Sequence, residues 1–187
     1  MSAPAKVAVL ISGRGSNMQA LAAAQGDEYR IVVVASDRRE AAGLDWALAN
    51  GLPIFALSPK GIGKANYEAA LDTALRAAGA EWIALAGYMR LLSDAFVDRW
   101  RGRIVNIHPS LLPKYKGLDT HARAIAAGDA VGGCSVHVVT EELDGGAVLG
   151  QAEVPILPGD TPDTLAERVL AEEHRLYPAV LKAFVRR

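Results

Sequence analysis

Two residues on one short segment have the types and spacing to stabilise developing negative charge and to move a proton. Ile104-Val105-Asn106-Ile107-His108-Pro109 reads as the end of a strand. Residues two apart on a strand point to the same side, so Asn106 and His108 project together. An amide donor beside an imidazole is a plausible oxyanion-stabilising pair. The imidazole is also a natural general acid, because its protonation is easily tuned. A lone histidine at a strand end is more often a satisfied structural residue; the same-face pairing moves the balance toward chemistry. Asp144, in Leu143-Asp144-Gly145-Gly146, suits a tight turn. A second reading sets its carboxylate beside His108, where opposite charge would favour the imidazolium. Spacing alone favours the turn.

The loop Ser12-Gly13-Arg14-Gly15-Ser16-Asn17 lies between a short apolar run and a helical segment. Glycines let the backbone approach a ligand, and a helix start offers free N–H groups to an anion. A dinucleotide fingerprint requires a third glycine where Met18 stands, and a P-loop requires a Gly-Lys-Ser/Thr that is absent. A cradle for a phosphate monoester and a plain strand-to-helix turn capped by Ser16 or Asn17 both remain. Other chemistries find little support. There is no Gly-x-Ser-x-Gly elbow, nothing marks Cys134 as activated, and no His-x-x-x-His or His-Glu-x-x-His spacing offers a metal. No metal is expected.

These residues need a scaffold that brings strand ends together. Val7–Ile11, Ile31–Ala35, Pro53–Leu57, Trp82–Ala86 and Ile104–Ile107 read as strands. They alternate with helices over Ser16–Ala24, Glu40–Asn50, Tyr67–Ala78 and, more briefly, Ser93–Trp100. That alternation predicts a doubly wound, mostly parallel α/β sheet with helices on both faces. Ligands then gather at the carboxyl ends of the strands. The pattern changes afterwards: Ser135–Thr140 and Ala147–Val154 read as an antiparallel hairpin joined at the Asp-Gly turn, making the sheet mixed. Thr161 caps a last helix with Pro162 at its first position and apolar residues at Leu165, Val169, Leu170 and Leu176.

Composition sets the outer bounds. The chain has 187 residues, which suits one domain of the usual ~100–200 residues. The net charge of −1 gives no electrostatic reason to expect nucleic acid or a membrane surface as partner. The single cysteine excludes an internal disulfide. No apolar run approaches the ~20 residues of a membrane span, and no secretory leader is visible. A cytoplasmic protein is the default expectation.

Taken together, the motifs resemble a known family. Asn106-Ile107-His108-Pro109-Ser110-Leu111-Leu112-Pro113, followed by Lys-Tyr-Lys-Gly-Leu-Asp-Thr-His121, is similar to the signature of the 10-formyltetrahydrofolate-dependent formyltransferases. The glycine loop, Ala-Gly-Tyr-Met-Arg-Leu-Leu at 86–92, Glu-Glu-Leu-Asp-Gly-Gly at 141–146 and Glu-Glu-His-Arg-Leu-Tyr-Pro at 172–178 extend the likeness from Val7 to about Phe184. The resemblance implies a Rossmann-like formyltransferase fold. It implies formyl transfer from 10-formyltetrahydrofolate to the amine of glycinamide ribonucleotide, a step of purine synthesis. Asn106, His108 and Asp144 would be catalytic, reversing the turn-only reading of Asp144. Gly15, Ser16 and Asn17 would bind the phosphate and Glu173 the ribose. Lys64, Met89, Arg90, Leu91, Leu92, Asn106, Thr140, Glu141, Glu142, Leu143 and Asp144 would contact the folate. Lys64 reads equally as a solvated surface charge, and Met89–Leu92 as core. Ser135 and His137 share a strand face and would line the site, although His137 also suits a core position. The single domain would divide into a phosphate-binding half, about 1–100, and a catalytic, folate-binding half, about 101–187. Leu111–His121, rich in Pro, Lys and Gly, has the composition of a flap. Related formyl users, a methionyl-tRNA formyltransferase or a formyltetrahydrofolate hydrolase, usually carry a further domain for which this length leaves no room. A monomer or homodimer acting on small molecules is expected.

Overall fold

The computed structural model describes residues 3–187. The chain begins with β1 (Ala5–Ile11), α1 (Ser16–Ala23), β2 (Tyr29–Ser36), α2 (Ala42–Ala49) and β3 (Ile54–Ala56). It continues with α3 (Lys64–Ala77), β4 (Trp82–Leu85), α4 (Asp94–Arg99) and β5 (Ile104–His108). It closes with α5 (Thr120–Ala126), β6 (Val131–Val138), β7 (Val148–Pro155) and α6 (Pro162–Phe184). The strands form one seven-stranded sheet in the order β3-β2-β1-β4-β5-β6-β7. β1 to β5 run parallel, and β6 and β7 add antiparallel at one edge. The doubly wound mixed sheet expected from the sequence is therefore present. Strand order reverses between β1 and β4, which opens a crevice at their carboxyl ends.

Alternation along β1 divides the core. Val7, Val9 and Ile11 face a layer completed by Met18 and Leu21 of α1, Leu44 and Ala47 of α2, and Leu165, Val169 and Tyr177 of α6. Ala8 and Leu10 face the other layer, with Tyr67, Leu71 and Leu75 of α3 and with Phe96 and Trp100 at α4. β2 keeps both layers supplied through a bulge. Ile31 pairs with Val7 but Val33 pairs with Ala8, so Val32 is the extra residue. Ile31 and Val33, two apart, consequently face opposite layers.

α6 is the longest element, at 23 residues, and Thr161 starts it as expected, through a reciprocal capping box with Thr164. Its buried stripe is Leu165, Val169, Glu173, Tyr177 and Leu181, one residue every four. Leu170 and Leu176 lie at the margin of that stripe rather than within it. The Tyr177 hydroxyl donates to the Leu85 carbonyl at 2.8 Å and to Val105 at 3.2 Å, stapling β4 to β5 from the helix side.

Four expectations need correction. α5 lies in a stretch for which no element was predicted. β6 starts at Val131 rather than Ser135, because Gly132 and Gly133 carry no strand signal. A Cβ on Gly133 would collide with the Ala152 carbonyl and meet Leu111 Cδ2 at 2.7 Å, so this strand needs its glycine to let β7 approach. The β6–β7 connection spans 139–147, longer than a tight Asp-Gly hairpin. α3 begins at Lys64, three residues before the predicted start.

Removing the Tyr177 hydroxyl tests the staple. Tyr177→Phe should lose about 1–2 kcal/mol of stability, measured by urea unfolding, since it strips a buried donor from two carbonyls.

Candidate functional site

The antiparallel pairing of β5 with β6 assembles the centre of the site. Asn106 lies opposite His137, and His108 lies opposite Ser135, so all four side chains share one face of the sheet. Asn106 Nδ2 is 3.2 Å from His137 Nε2. His137 Nδ1 donates to the Val138 carbonyl at 3.1 Å, which leaves Nε2 as the acceptor for the Asn106 amide. Burial holds the His137 imidazole below its ordinary range, consistent with that neutral form.

Asp144 is brought to this pair by the loop after β6. Its backbone is left-handed, with φ 49°, a conformation that Asp tolerates better than most residues. Gly146 follows two residues on because a Cβ there would strike the Val138 carbonyl. The Asp144 carboxylate lies 3.5 Å from His108 Nδ1 and 3.6 Å from His137 Nε2, and it accepts from the Gly117 amide at 2.9 Å. Asp144 is thus both a turn residue and the partner of His108. The other ring nitrogen of His108, Nε2, donates to the Tyr115 carbonyl at 2.9 Å. A carbonyl only accepts, so Nε2 carries hydrogen and Nδ1 is turned toward Asp144. The 109–119 segment therefore touches both functional side chains through backbone atoms.

Ser135 performs a different task. Its hydroxyl donates to the Ser110 carbonyl at 2.7 Å and accepts from the Leu112 amide at 3.0 Å and from Gln151 Nε2 at 2.9 Å. It anchors the root of that segment instead of facing Asp144.

The glycine loop forms the second subsite. Gly15 is left-handed, with φ 72°, and α1 begins after it without a side-chain cap, so its first amides remain available to an anion. Gly43 of α2 presses on the loop: its amide donates to the Gly13 carbonyl at 3.0 Å, and a Cβ there would meet Ile11 Cδ1 at 2.5 Å. Asn17 Nδ2 donates to Glu173 Oε2 at 2.7 Å, bringing α6 to the start of α1. Both residues are 8 % exposed, and among the described residues Asn17 Oδ1 meets no hydrogen-bond donor. Burial pushes the Glu173 carboxyl above its ordinary range.

Between the two lies the crevice of the strand reversal. Ser12 Oγ donates to Asp37 at 2.6 Å and accepts from the Met89 amide at 2.9 Å, tying the loop after β1 to the loop after β4. Met89 and Leu91 are 63 % and 66 % exposed, so neither is core; Leu92 packs inward. Arg90 stacks 5.8 Å from the Tyr67 ring, one turn beyond Lys64, which is exposed at the start of α3. Leu143 is 49 % exposed, and Thr140 holds the Glu142 carbonyl at 3.4 Å. Glu141 pairs with Arg101 at 2.6 Å and Glu142 with Lys116 at 2.8 Å, bracing the Asp144 loop from both sides. Exposed apolar side chains beside a polar centre make a wall for a flat ligand. Among the described residues no group of three His, Cys, Asp or Glu side chains is arranged so that it could hold a metal ion, and no helix is long and apolar enough to cross a membrane.

Sequence reasoning missed the Tyr115 carbonyl and the Gly117 amide, since backbone groups leave no residue signature. It also missed Gly43. For Glu173 a signal existed: a carboxylate in the every-fourth-residue stripe of α6, where its neighbours are core.

The chain belongs to the formyl transferase family, whose model matches residues 5–181. It is 43% identical over 182 residues to phosphoribosylglycinamide formyltransferase of Escherichia coli, covering 95% of this chain and 86% of that one. A solved structure of phosphoribosylglycinamide formyltransferase from Brucella melitensis superposes with a TM-score of 0.93 at 49% identity, covering 97% of this chain and 96% of that chain. The trifunctional purine biosynthetic protein adenosine-3 of Drosophila pseudoobscura is 47% identical over 188 residues, of which this chain spans only 14% of the length.

The raised Glu173 carboxyl has a measurable consequence. A carboxylate pKa raised by folding contributes stability below the unfolded value, ~4.3, that is lost as pH rises through the folded one. Glu173→Gln keeps an acceptor for Asn17 and removes the charge. It should raise the melting temperature at pH 7 by roughly 2–4 °C for each kcal/mol recovered, and the gain should vanish at pH 4 in calorimetry.

Proposed function

We propose that the chain transfers a formyl group from 10-formyltetrahydrofolate to the amine of N1-(5-phosphoribosyl)glycinamide. The products are formylglycinamide ribonucleotide and tetrahydrofolate, a step of de novo purine (IMP) synthesis. The observation that supports this most is the convergence of Asn106, His108 and Asp144 at one end of a crevice whose other end is the open start of α1 with Glu173. We further read the chain as a single cytoplasmic domain acting without metal on small molecules, as a monomer or homodimer.

In this reading Gly15, Ser16 and Asn17 take the phosphate, and Glu173 takes the ribose. Met89 to Leu92, Thr140 to Leu143 and Lys64 contact the folate. The glycinamide nitrogen attacks the formyl carbon, and the carbonyl oxygen becomes an oxyanion. The Asn106 amide and protonated Nδ1 of His108 stabilise that oxygen; each such donor typically contributes ~3–4 kcal/mol to the barrier. Asp144 balances the charge on the ring and receives the proton that the attacking amine sheds. The oxyanion collapses to the new formamide carbonyl as the bond from the formyl carbon to the folate nitrogen breaks, and the proton taken up by Asp144 passes to that nitrogen. No group is oxidised or reduced.

A spectrophotometric assay tests the reading. Protein, 10-formyl-folate and glycinamide ribonucleotide should release deformylated folate, and release should stop when the ribonucleotide is omitted; release that continues without it would indicate a hydrolase. His108→Ala and Asp144→Ala should each cut kcat by on the order of 100-fold or more while melting normally. Near-wild-type turnover in Asp144→Asn would remove the carboxylate from the mechanism.

A further inference from the structure

The segment between β5 and α5 stands over empty space. A cavity of about 250 Å³ lies beneath it, walled by Leu111, Tyr115, His121, Asp129, Val131 and Leu165. Tyr115 holds a left-handed backbone, φ 54°, which a bulky aromatic residue adopts only when its surroundings impose it. That conformation directs its carbonyl at His108 Nε2.

A set of polar contacts surrounds it, beginning with Ser110 Oγ, which lies 2.6 Å from the Lys114 carbonyl and 3.3 Å from the Tyr115 carbonyl. The Tyr115 hydroxyl donates to Asp129 Oδ2 at 2.7 Å. Lys114 Nζ donates to both Asp129 oxygens at 3.1 Å. The Arg123 guanidinium lies 5.2 Å from the centre of the Tyr115 ring and donates to the Lys116 carbonyl at 2.7 Å. Asp129 sits in the short connection between α5 and β6, so it ties the segment to the sheet.

We propose that Tyr115 and Asp129 are positioning residues for His108. Their side-chain bond holds the Tyr115 carbonyl on Nε2, so that Nδ1 is the nitrogen presented to Asp144 and to the reacting atoms. Neither touches substrate in this role; both act through the orientation of one ring, of which the Nε2–H tautomer of the neutral ring is the visible mark. The Asp129 carboxyl is held below its ordinary range first by the tyrosine bond and then by Lys114, in keeping with a charged acceptor. The proposal rests on the formyl-transfer reading for its kinetic consequence only, because the state of the His108 ring can be observed without any reaction.

The experiment compares the full-length protein with Tyr115→Phe, Asp129→Ala and the double variant. Nitrogen-15 NMR of histidine above the imidazole titration range should find hydrogen on Nε2 of His108 in the unmodified protein and a mixture of tautomers in Tyr115→Phe. In the formyl-transfer assay kcat should fall about tenfold or more, as expected for a misplaced catalytic group, with KM for the ribonucleotide unchanged. The double variant should be no slower than the slower single one, since both remove one contact. If Asp129→Ala does not fold, Asp129→Asn keeps an accepting oxygen and should restore most of the rate lost in an Asp129→Ser variant. An unchanged His108 tautomer in Tyr115→Phe, or losses that add in the double variant, would overturn the proposal. Absence of formyl transfer by the unmodified protein would instead overturn the functional reading, leaving the tautomer result to decide this one.

Discussion

The register between β5 and β6 is the constraint on which the site depends. Side chains alternate across a strand, so a slip of one residue in β6 would turn Ser135 and His137 to the opposite layer, away from Asn106 and His108. Antiparallel pairing lets adjacent strands deliver opposed residues as pairs, something the parallel strands before them do not offer in the same way. The register is fixed from several directions. Tyr177 fastens β5 to β4, Ser135 and Gln151 fasten the chain leaving β5 to β6 and β7, and the close approach at Gly133 and Gly146 leaves no room for a shifted neighbour.

Within that frame Asp144 is a nearly buried carboxylate, its side chain 8 % exposed, facing two imidazoles and one backbone donor. An isolated charge in such a place would be costly. The Gly117 amide and the His108 ring make it tolerable. The two histidines differ because their second nitrogens differ. His137 spends Nδ1 on its neighbour's carbonyl and takes a hydrogen from Asn106, which settles it as a neutral orienting group. His108 spends Nε2 on a carbonyl and keeps Nδ1 for the centre. Identical side chains are given unlike tasks by backbone acceptors alone.

The parallel half of the sheet was legible because apolar runs such as Val7–Ile11 and Trp82–Leu85 are buried on both faces and bounded by helices. The same-face pair Asn106 and His108 followed from strand geometry. β6 was partly hidden, since Gly132 and Gly133 were chosen for close approach rather than for strand propensity. α5 was obscured by the Pro- and Gly-rich segment before it. Asp144 could be read locally as a turn but not as a partner of His108, because 36 residues separate them and only the fold closes that distance. The contacts of Tyr115 and Gly117 were beyond reach: a backbone group acts the same way whatever its side chain.

The bond between Asn17 and Glu173 joins residues 156 positions apart. During synthesis the glycine loop, β1 and α1 emerge well before the α6 residue that meets them. The subsite proposed for the ribonucleotide is consequently incomplete in any nascent intermediate in which α6 has yet to dock. The Asn17 amide meets Glu173 only once α6 has docked against the first layer of the core.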